Sequence, residues 1–265
     1  MAKLTSILQF NGSLQGLSAY KMKGVEGTVL RVAYGPSKED IETKRQYDIT
    51  RRNLSEMGGR STAASWLMKA FQPLRSIADP HTLGQLNRLL RAVQLADTTS
   101  EYGKRSVALS LHPALLQGCS LTKAAPFDSV VLASFGCTLS RESLSASLEL
   151  PSLKPRLNFF PPQGYTFCRV VAALGVAPDL FHAVPKYRPQ GDYNHCHAVS
   201  VHSDWFAAGH GAPAQTLALS LPYTPPNEAF SLVLSVGVQV GMPGISGAIE
   251  PLRGRVGSAK ILAVV

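Results

Sequence analysis

Five of the seven histidines lie close together, between positions 182 and 210. His195 and His197 are two residues apart in the stretch NHCH, so their side chains share one face if the segment is extended. Some metal sites use that spacing, which makes a metal-dependent hydrolase a third hypothesis for this chain. However, His202 would point to the opposite face, and no H-E-x-x-H helix is present. We therefore favour structural or surface histidines and expect no metal.

Other catalytic motifs are incomplete in this sequence. The stretch GISGA lacks the second glycine of G-x-S-x-G, and the glycines at 241, 244 and 247 do not open a helix that carries a lysine. Only 8 Asp and Glu follow residue 105, and none is obviously paired. We therefore expect no catalytic residue and no cofactor, and we predict that the protein is not an enzyme.

The stretch KRQYDITRRNLSEMGGRST, residues 44–62, concentrates positive charge. On a helix, opposite charges four residues apart would form a ladder through Asp48, Arg52, Glu56 and Arg60. Lys44 and Arg51 fall outside it and could face an anion. The two glycines could also break the helix, so that Arg60 begins a new one with free backbone N–H groups. A solvated helix surface is favoured, with a protein interface or a phosphate contact as alternatives.

Nucleic-acid binding is the alternative function that this charge suggests. Residues 1–105 hold 16 Lys and Arg against 9 Asp and Glu, whereas residues 106–265 hold 10 against 8. Such asymmetry favours an anionic partner, although solubility alone also explains it. Tyr20 and Tyr34 add aromatic rings of the kind that single-stranded nucleic acid stacks on. The candidate contacts are Lys21, Lys23, Arg31, Lys44, Arg45, Arg51 and Arg60.

Periodicity predicts the elements. Three short runs, LTSILQF, LSAYKM and TVLRVAY, with glycine-containing connections, indicate a small antiparallel meander. Apolar residues then recur every three or four positions, which predicts one helix over about 48–77 and a second after Asp79, the expected cap, through Val93. From about residue 106 the period is two. Runs such as SLSASLELP, FSLVLSVGVQV, YTFCRVVAAL, TLALSL, DSVVLASF and AKILAVV predict seven or eight strands, the first two half-buried.

Compartment is inferred from what the sequence lacks. The first residues contain no apolar stretch of signal-peptide length, and no later segment reaches the roughly 20 apolar residues of a membrane span. We expect a cytoplasmic protein without a membrane span, with extracellular assembly or a virion left open. The four cysteines are far apart, which favours four buried thiols over a disulfide framework.

Four stretches, GSLQGLSAYKMKG, RVAYGPSKE, RRNLSEMGGRS and AFQPLR, carry a resemblance to a known group of sequences. With them the chain resembles a broad group of uncharacterised Bacteroidota proteins, most closely over the first hundred residues and loosely over the last forty. The resemblance implies a basic strand-and-helix segment followed by a β-rich part. It implies no activity and no functional residues.

Together these patterns predict an α+β protein. Residues 1–105 would form a basic domain with a β-meander and a helical hairpin, and residues 106–265 an immunoglobulin-like or jelly-roll-like antiparallel β-sandwich. The leading hypothesis is a noncatalytic structural protein that self-associates into an oligomer, filament or shell. It depends on the short alternating strands and on the terminal run KILAVV, which could pair with another subunit.

Overall fold

The computed structural model describes residues 2–4, 11–22, 25–32, 35–162, 164–245, 247–252 and 254–265. Helices and antiparallel sheets share these residues, so the predicted α+β class is confirmed. The chain divides into two compact units, Met1–Arg51 and Arg52–Val265. The division therefore differs from the predicted one near residue 105, because the two long helices belong to the core of the second unit.

The first unit contains a four-stranded antiparallel sheet with the order β1-β4-β3-β2. Its strands are β1 (Ala2–Leu4), β2 (Gly12–Leu14), β3 (Leu17–Lys21) and β4 (Thr28–Val32). The predicted runs LSAYKM and TVLRVAY correspond to β3 and β4. Most of the predicted run LTSILQF lies outside the described residues, and β2 was not predicted as a strand.

A two-residue turn joins β2 to β3. Gln15 and Gly16 both have positive φ, 45° and 79°. Positive φ at both central residues is the mark of a type I′ turn, whose twist matches that of a hairpin. The turn sets the register, in which Leu14 lies opposite Leu17.

Helix α1 (Lys38–Thr43) begins with a capping box, in which Ser37 and Asp40 exchange hydrogen bonds through side chain and backbone. Helix α2 spans Asp48–Ala70 and is followed by one turn of 3₁₀ helix, Gln72–Leu74, so the predicted helix ends earlier than residue 77. Helix α3 spans Thr82–Leu95. Among the described residues, no helix combines the length and apolar character that crossing a membrane requires.

Two predictions in this region are wrong. Asp79 does not cap α3, because its carboxylate accepts a hydrogen bond from the backbone N–H of Lys123 at 2.6 Å. The run DSVVLASF is not a strand. It begins as the short helix α4 (Phe127–Val130), and beyond it only Val131 forms a bridge, to Phe159.

Eleven strands follow in the second unit: β5 (Gly136–Ser140), β6 (Ser145–Leu150), β7 (Phe167–Pro178), β8 (Phe181–Ala183), β9 (Lys186–Arg188), β10 (Val199–His202), β11 (Phe206–Ala207), β12 (Gln215–Ser220), β13 (Phe230–Pro243), β14 (Ile249–Pro251) and β15 (Gly257–Val264). The large sheet has the order β10-β7-β13-β14, with β11 also on β7 and β15 also on β13. A smaller sheet has the order β12-β6-β5.

Strands β7 and β13 form the centre of the large sheet, paired over twelve residues. The prediction of a half-buried strand is correct for β6, where Ala146, Leu148 and Leu150 are buried on one face. It is wrong for β13, which is buried on both faces along most of its length. A strand buried on both faces must have a packed layer on each side.

The two layers are a sheet and a pair of helices. Alternate residues of β7 and β13 pack against β6 and β12, so two sheets lie face to face as predicted. The intervening residues, such as Ala173 and Val233, pack against the apolar faces of α2 and α3. Helix α2 approaches the sheet closely at Gly175 of β7, where an added methyl carbon would lie 2.7 Å from the Cα of Ala70.

The terminal run KILAVV does not offer a free edge at its centre. It forms β15, which pairs with β13 on one side. On its other side, residues 118–121 donate and accept three backbone hydrogen bonds at Ala259 and Ile261. Pairing of these residues with another subunit, on which the self-association hypothesis partly depends, is therefore blocked.

A buried hydroxyl on β13 allows the packing between this strand and the helices to be tested. Ser235 is fully buried and its Oγ has no hydrogen-bond partner among the described residues. A buried polar group without a partner destabilises a fold. We expect Ser235→Ala to raise the free energy of unfolding by about 1 kcal/mol in urea denaturation.

Ser203→Ala is the matched control for this substitution. Ser203 is equally inaccessible, but its Oγ donates to Asp204 O and accepts from Val170 N–H at 3.0 Å. The same substitution there should lower the free energy of unfolding. A lower free energy of unfolding in Ser235→Ala would contradict the conclusion that this hydroxyl is buried without a hydrogen-bond partner.

Candidate functional site

The segment that carries His195 and His197 forms a turn, so the extended conformation in which the two side chains would share a face is not adopted. The His197 N–H donates to the carbonyl of His195 at 3.0 Å. The His195 ring packs edge-on against Tyr223, 5.9 Å between centroids, whereas His197 lines a surface cavity. Across the described residues, no three His, Cys, Asp or Glu side chains form a group that could hold a metal ion.

The cavity beside His197 has a volume of about 350 Å³. Trp66 from α2 forms one wall, and the Lys69 Nζ lies 3.8 Å from the centre of its ring. The buried ring of Tyr193 meets Trp66 edge-on at 6.3 Å. Asn194 adds an exposed amide. The lining thus combines an ammonium group, an imidazole, an amide and an indole, and no Asp or Glu contributes to it.

The thiol in this cavity is not activated. Burial raises the pKa of the Cys196 thiol, and the charge of Asp192 raises it further. Burial also raises the pKa of Tyr193 to about 12. Both groups are therefore neutral at pH 7, and a neutral thiol is a poor nucleophile. All four cysteines are free, but the prediction that all are buried holds only for Cys168 and Cys196.

Two further cavities continue the first along the helices. One of about 340 Å³ shares Lys69 and Gln72 with it. Another, of about 750 Å³, shares Asp79 and Pro80 with the second. We call the three together the basic groove. It runs along the C-terminal half of α2, past the 3₁₀ turn, to the first turns of α3.

Unpaired cations dominate the groove. Five lysine and arginine side chains line it, and all are exposed: Lys69, Arg75, Arg88, Lys123 and Arg255. None of them forms an ion pair with a carboxylate of the described residues. The single acidic lining residue, Asp79, accepts its hydrogen bond from backbone. Such a concave, positively charged surface attracts anions.

The cations predicted in the first unit are largely engaged there. Lys44 pairs with Asp40 at 2.5 Å. Arg51 donates to the carbonyls of Ile41 and Lys44 and pairs with Asp48. The sequence suggested that these two side chains could face an anion. In the structure, both are instead engaged by neighbouring groups of the chain.

The remaining predicted cations are placed as follows. Arg31 lies over the ring of Tyr20, 5.7 Å from its centre, which agrees with the expected nearness of cation and aromatic ring. Lys21 and Arg45 are exposed. Lys23 lies outside the described residues.

The glycines at 58 and 59 do not break α2. The helix is continuous, and an added methyl carbon at Gly59 would lie 2.7 Å from the ring of Tyr187, so Gly59 allows that ring to pack. Arg60 does not begin a new helix, and it donates to Gln94 at 2.9 Å and to Asn87. The alternative that the sequence left open, a helix start at Arg60 with free backbone N–H groups, is therefore not realised.

Two carboxylates near Arg60 hold the segment after α3. Glu56 is buried, accepts the Gly103 N–H at 2.9 Å and lies 3.7 Å from Arg105, so it does not join the predicted ladder with Arg60. Asp97 accepts hydrogen bonds from the backbone and hydroxyl groups of Thr99 and Ser106. Both side chains therefore organise residues 97–106.

Comparison with known proteins adds no name to this arrangement. The chain matches no protein-family profile, and neither a curated protein nor a solved structure matches it. The resemblance to Bacteroidota proteins stays a prediction.

Asp97 predicts a dependence of stability on pH. Burial alone would raise the pKa of Asp97, but the hydrogen bonds from Ser106 and Ser100 hold it far below its usual range. A carboxyl with a lowered pKa in the folded state stabilises above its unfolded pKa of about 3.9, and this contribution is lost as the pH falls further. We expect Asp97→Asn to lower the free energy of unfolding at pH 7 by about 1 to 2 kcal/mol.

The difference between Asp97→Asn and the parent protein should shrink as the pH falls from about 5 to 2 in urea denaturation. Glu142→Gln, at an exposed turn residue, is the control and should change little at either pH. An unchanged difference at both pH values would show that the charge of Asp97 does not contribute.

Proposed function

We propose that this protein is a noncatalytic structural protein that self-associates into an oligomer or larger assembly. The supporting observation is an apolar row on the sheet of the first unit, formed by Leu14, Leu17 and Val32. In the register of the strands, Leu17 lies opposite both Leu14 and Val32. Directly opposed residues project from the same face of a sheet, so the three side chains form one surface.

The row is exposed to solvent. Leu14, Leu17 and Val32 are 58%, 40% and 53% exposed. Single exposed apolar side chains are ordinary, but contiguous ones mark interaction surfaces. A second copy of the chain is the occupant that this row fits best, since an apolar row can cover its own copy across a two-fold axis.

The small core of the first unit supports the same proposal. Within residues 11–22, 25–32 and 35–51 of the first unit, only Ala19, Thr28 and Val29 are buried. A unit of about fifty residues has a small core in general, and units of that size often gain stability from association. Covering the apolar row would remove further apolar area from water.

An exposed strand edge accompanies the row. Strand β2 is the last strand of its sheet, and its three residues are exposed. Edge strands pair readily with strands of another chain unless charge or proline prevents it, and Gly12–Leu14 carries neither. The free edge of β2, rather than the terminal run KILAVV, is therefore the strand edge through which two copies could pair.

Replacing two members of the row tests the proposal. Threonine keeps β propensity but removes apolar surface. We expect Leu17→Thr/Val32→Thr to weaken self-association at least about tenfold, because each substitution removes roughly 1 kcal/mol of apolar burial. The mass distribution measured by mass photometry and by light scattering after size exclusion gives the result.

Leu132→Thr/Leu157→Thr is the matched control, because both leucines are exposed to a similar degree but lie in the second unit. It should associate like the parent protein. Monomers alone at micromolar concentration in the parent protein would contradict the proposal. If Leu132→Thr/Leu157→Thr weakened self-association and Leu17→Thr/Val32→Thr did not, the interface would lie outside the apolar row.

A further inference from the structure

The basic groove carries charge that neither the fold nor the proposed assembly uses. Some other cations of the same unit are paired, as Lys104 is with Glu101 at 2.8 Å and Lys260 with Asp128 at 2.5 Å, whereas others, such as Lys186 and Arg188, are unpaired among the described residues but do not line the groove. The groove instead gathers five exposed cations around one hydrogen-bonded carboxylate. Such concentration in a cleft focuses the electrostatic field on one path.

We propose that the basic groove binds single-stranded nucleic acid. The path of unpaired cations is what a chain of phosphates requires, because each phosphate that meets a lysine or arginine releases bound counterions. Neighbouring cavities share lining residues, so a ligand that contacts all five cations is extended rather than a single small anion.

The shape and the other lining groups favour one strand over a duplex. The bases of a single strand are free to contact side chains inside a cleft, whereas those of a duplex are paired and stacked within it. Trp66 lies at one end of the groove, and the Lys69 Nζ lies 3.8 Å from the centre of its ring. A cation and an aromatic ring are therefore in contact there. Single-strand binding proteins combine a charged groove with aromatic rings that contact bases.

Amide side chains within the groove complement the cations. Gln72 and Asn194 line it and can both donate and accept hydrogen bonds, whereas the amide of Gln85, which also lines it, already donates to the Ser120 carbonyl at 3.3 Å. Base edges offer both kinds of group, whereas the oxygens of a phosphodiester only accept hydrogen bonds. A flat bilayer surface would not reach these amides inside a cleft. The nucleic acid strand is thus the anion that uses the whole lining.

This site differs from the nucleic-acid contacts expected from the sequence. Those lie mostly in the first unit, where Lys44 and Arg51 are paired with acidic neighbours. The groove belongs wholly to the second unit. The proposal is also independent of self-association through the apolar row, so that each can fail without the other.

Fluorescence anisotropy of the full chain with a fluorescein-labelled oligothymidylate of about 20 nucleotides tests the proposal. Affinity should fall steeply between about 50 and 200 mM NaCl. The variant Lys69→Gln/Arg75→Gln/Arg255→Gln should bind at least about tenfold more weakly at low salt. Its slope of log K against log salt should be smaller by about 2, since each phosphate contact on a single strand contributes about 0.7.

The matched control removes the same charge from the sequence-predicted contacts of the first unit. Lys21→Gln/Lys44→Gln/Arg45→Gln should leave the slope nearly unchanged. Thermal melting confirms that both variants remain folded. An equal effect of the two triple variants would show that only net charge matters and would overturn the proposal. Failure to bind at low salt, or equal affinity for a duplex of the same length, would also overturn it.

Tryptophan fluorescence supplies a second measurement at the groove itself. The chain has two tryptophans, so Trp205→Phe leaves Trp66 as the reporter. Adding unlabelled oligothymidylate should quench or shift the Trp66 emission in proportion to the bound fraction. Binding without any change in that emission would place the strand outside the groove and contradict the assignment.

Discussion

The pairing of β7 with β13 is the constraint on which the second unit depends. The two strands pair over twelve residue pairs, and their side chains are apolar or small on both faces except at Arg169 and Gln239, which bond to each other at 2.8 Å. Such a ribbon is stable in water only when each face is covered. The smaller sheet covers one face and helices α2 and α3 cover the other, which gives a three-layered unit.

That arrangement also creates the basic groove. Small residues on α2, such as Ala64 and Ala70, let the helix lie close to the sheet at Gly175. Residues on the other side of the helix cannot share this core, so Lys69, Gln72 and Arg75 remain at the surface beside the start of α3. The groove is thus a consequence of how tightly the helices cover the sheet.

Local patterns predicted the elements better than their assembly. The alternation in SLSASLELP identified β6, because one face of that strand meets solvent and its period is visible. In FSLVLSVGVQV the same alternation does not show that the second face is also buried. Ser231, Ser235 and Gly237 lie on that face, where their small size allows close packing. Small residues that permit close packing resemble solvent-facing residues in a sequence, so the helical layer was assigned to a separate domain.

The site was harder to predict than the fold for a related reason. Residues 44–62 stand out because their charges are close in sequence, yet this closeness allows them to neutralise one another, as Arg51 and Asp48 do. The groove cations are spread from Lys69 to Arg255 and become neighbours only when β15 and its preceding turn meet the helices. Likewise, parity placed His195 and His197 together only under an extended conformation, and a turn separates them.

We infer that the helices and the sheet of the second unit form one cooperative core. Hydrogen exchange of the full chain, followed by mass spectrometry of peptides, measures this directly. We predict that residues 63–70, 167–178 and 230–241 open together with a single free energy. Exchange of the helix at a markedly lower free energy than the two strands would contradict the account, because it would mean that the helices form a separate layer that the sheet does not need.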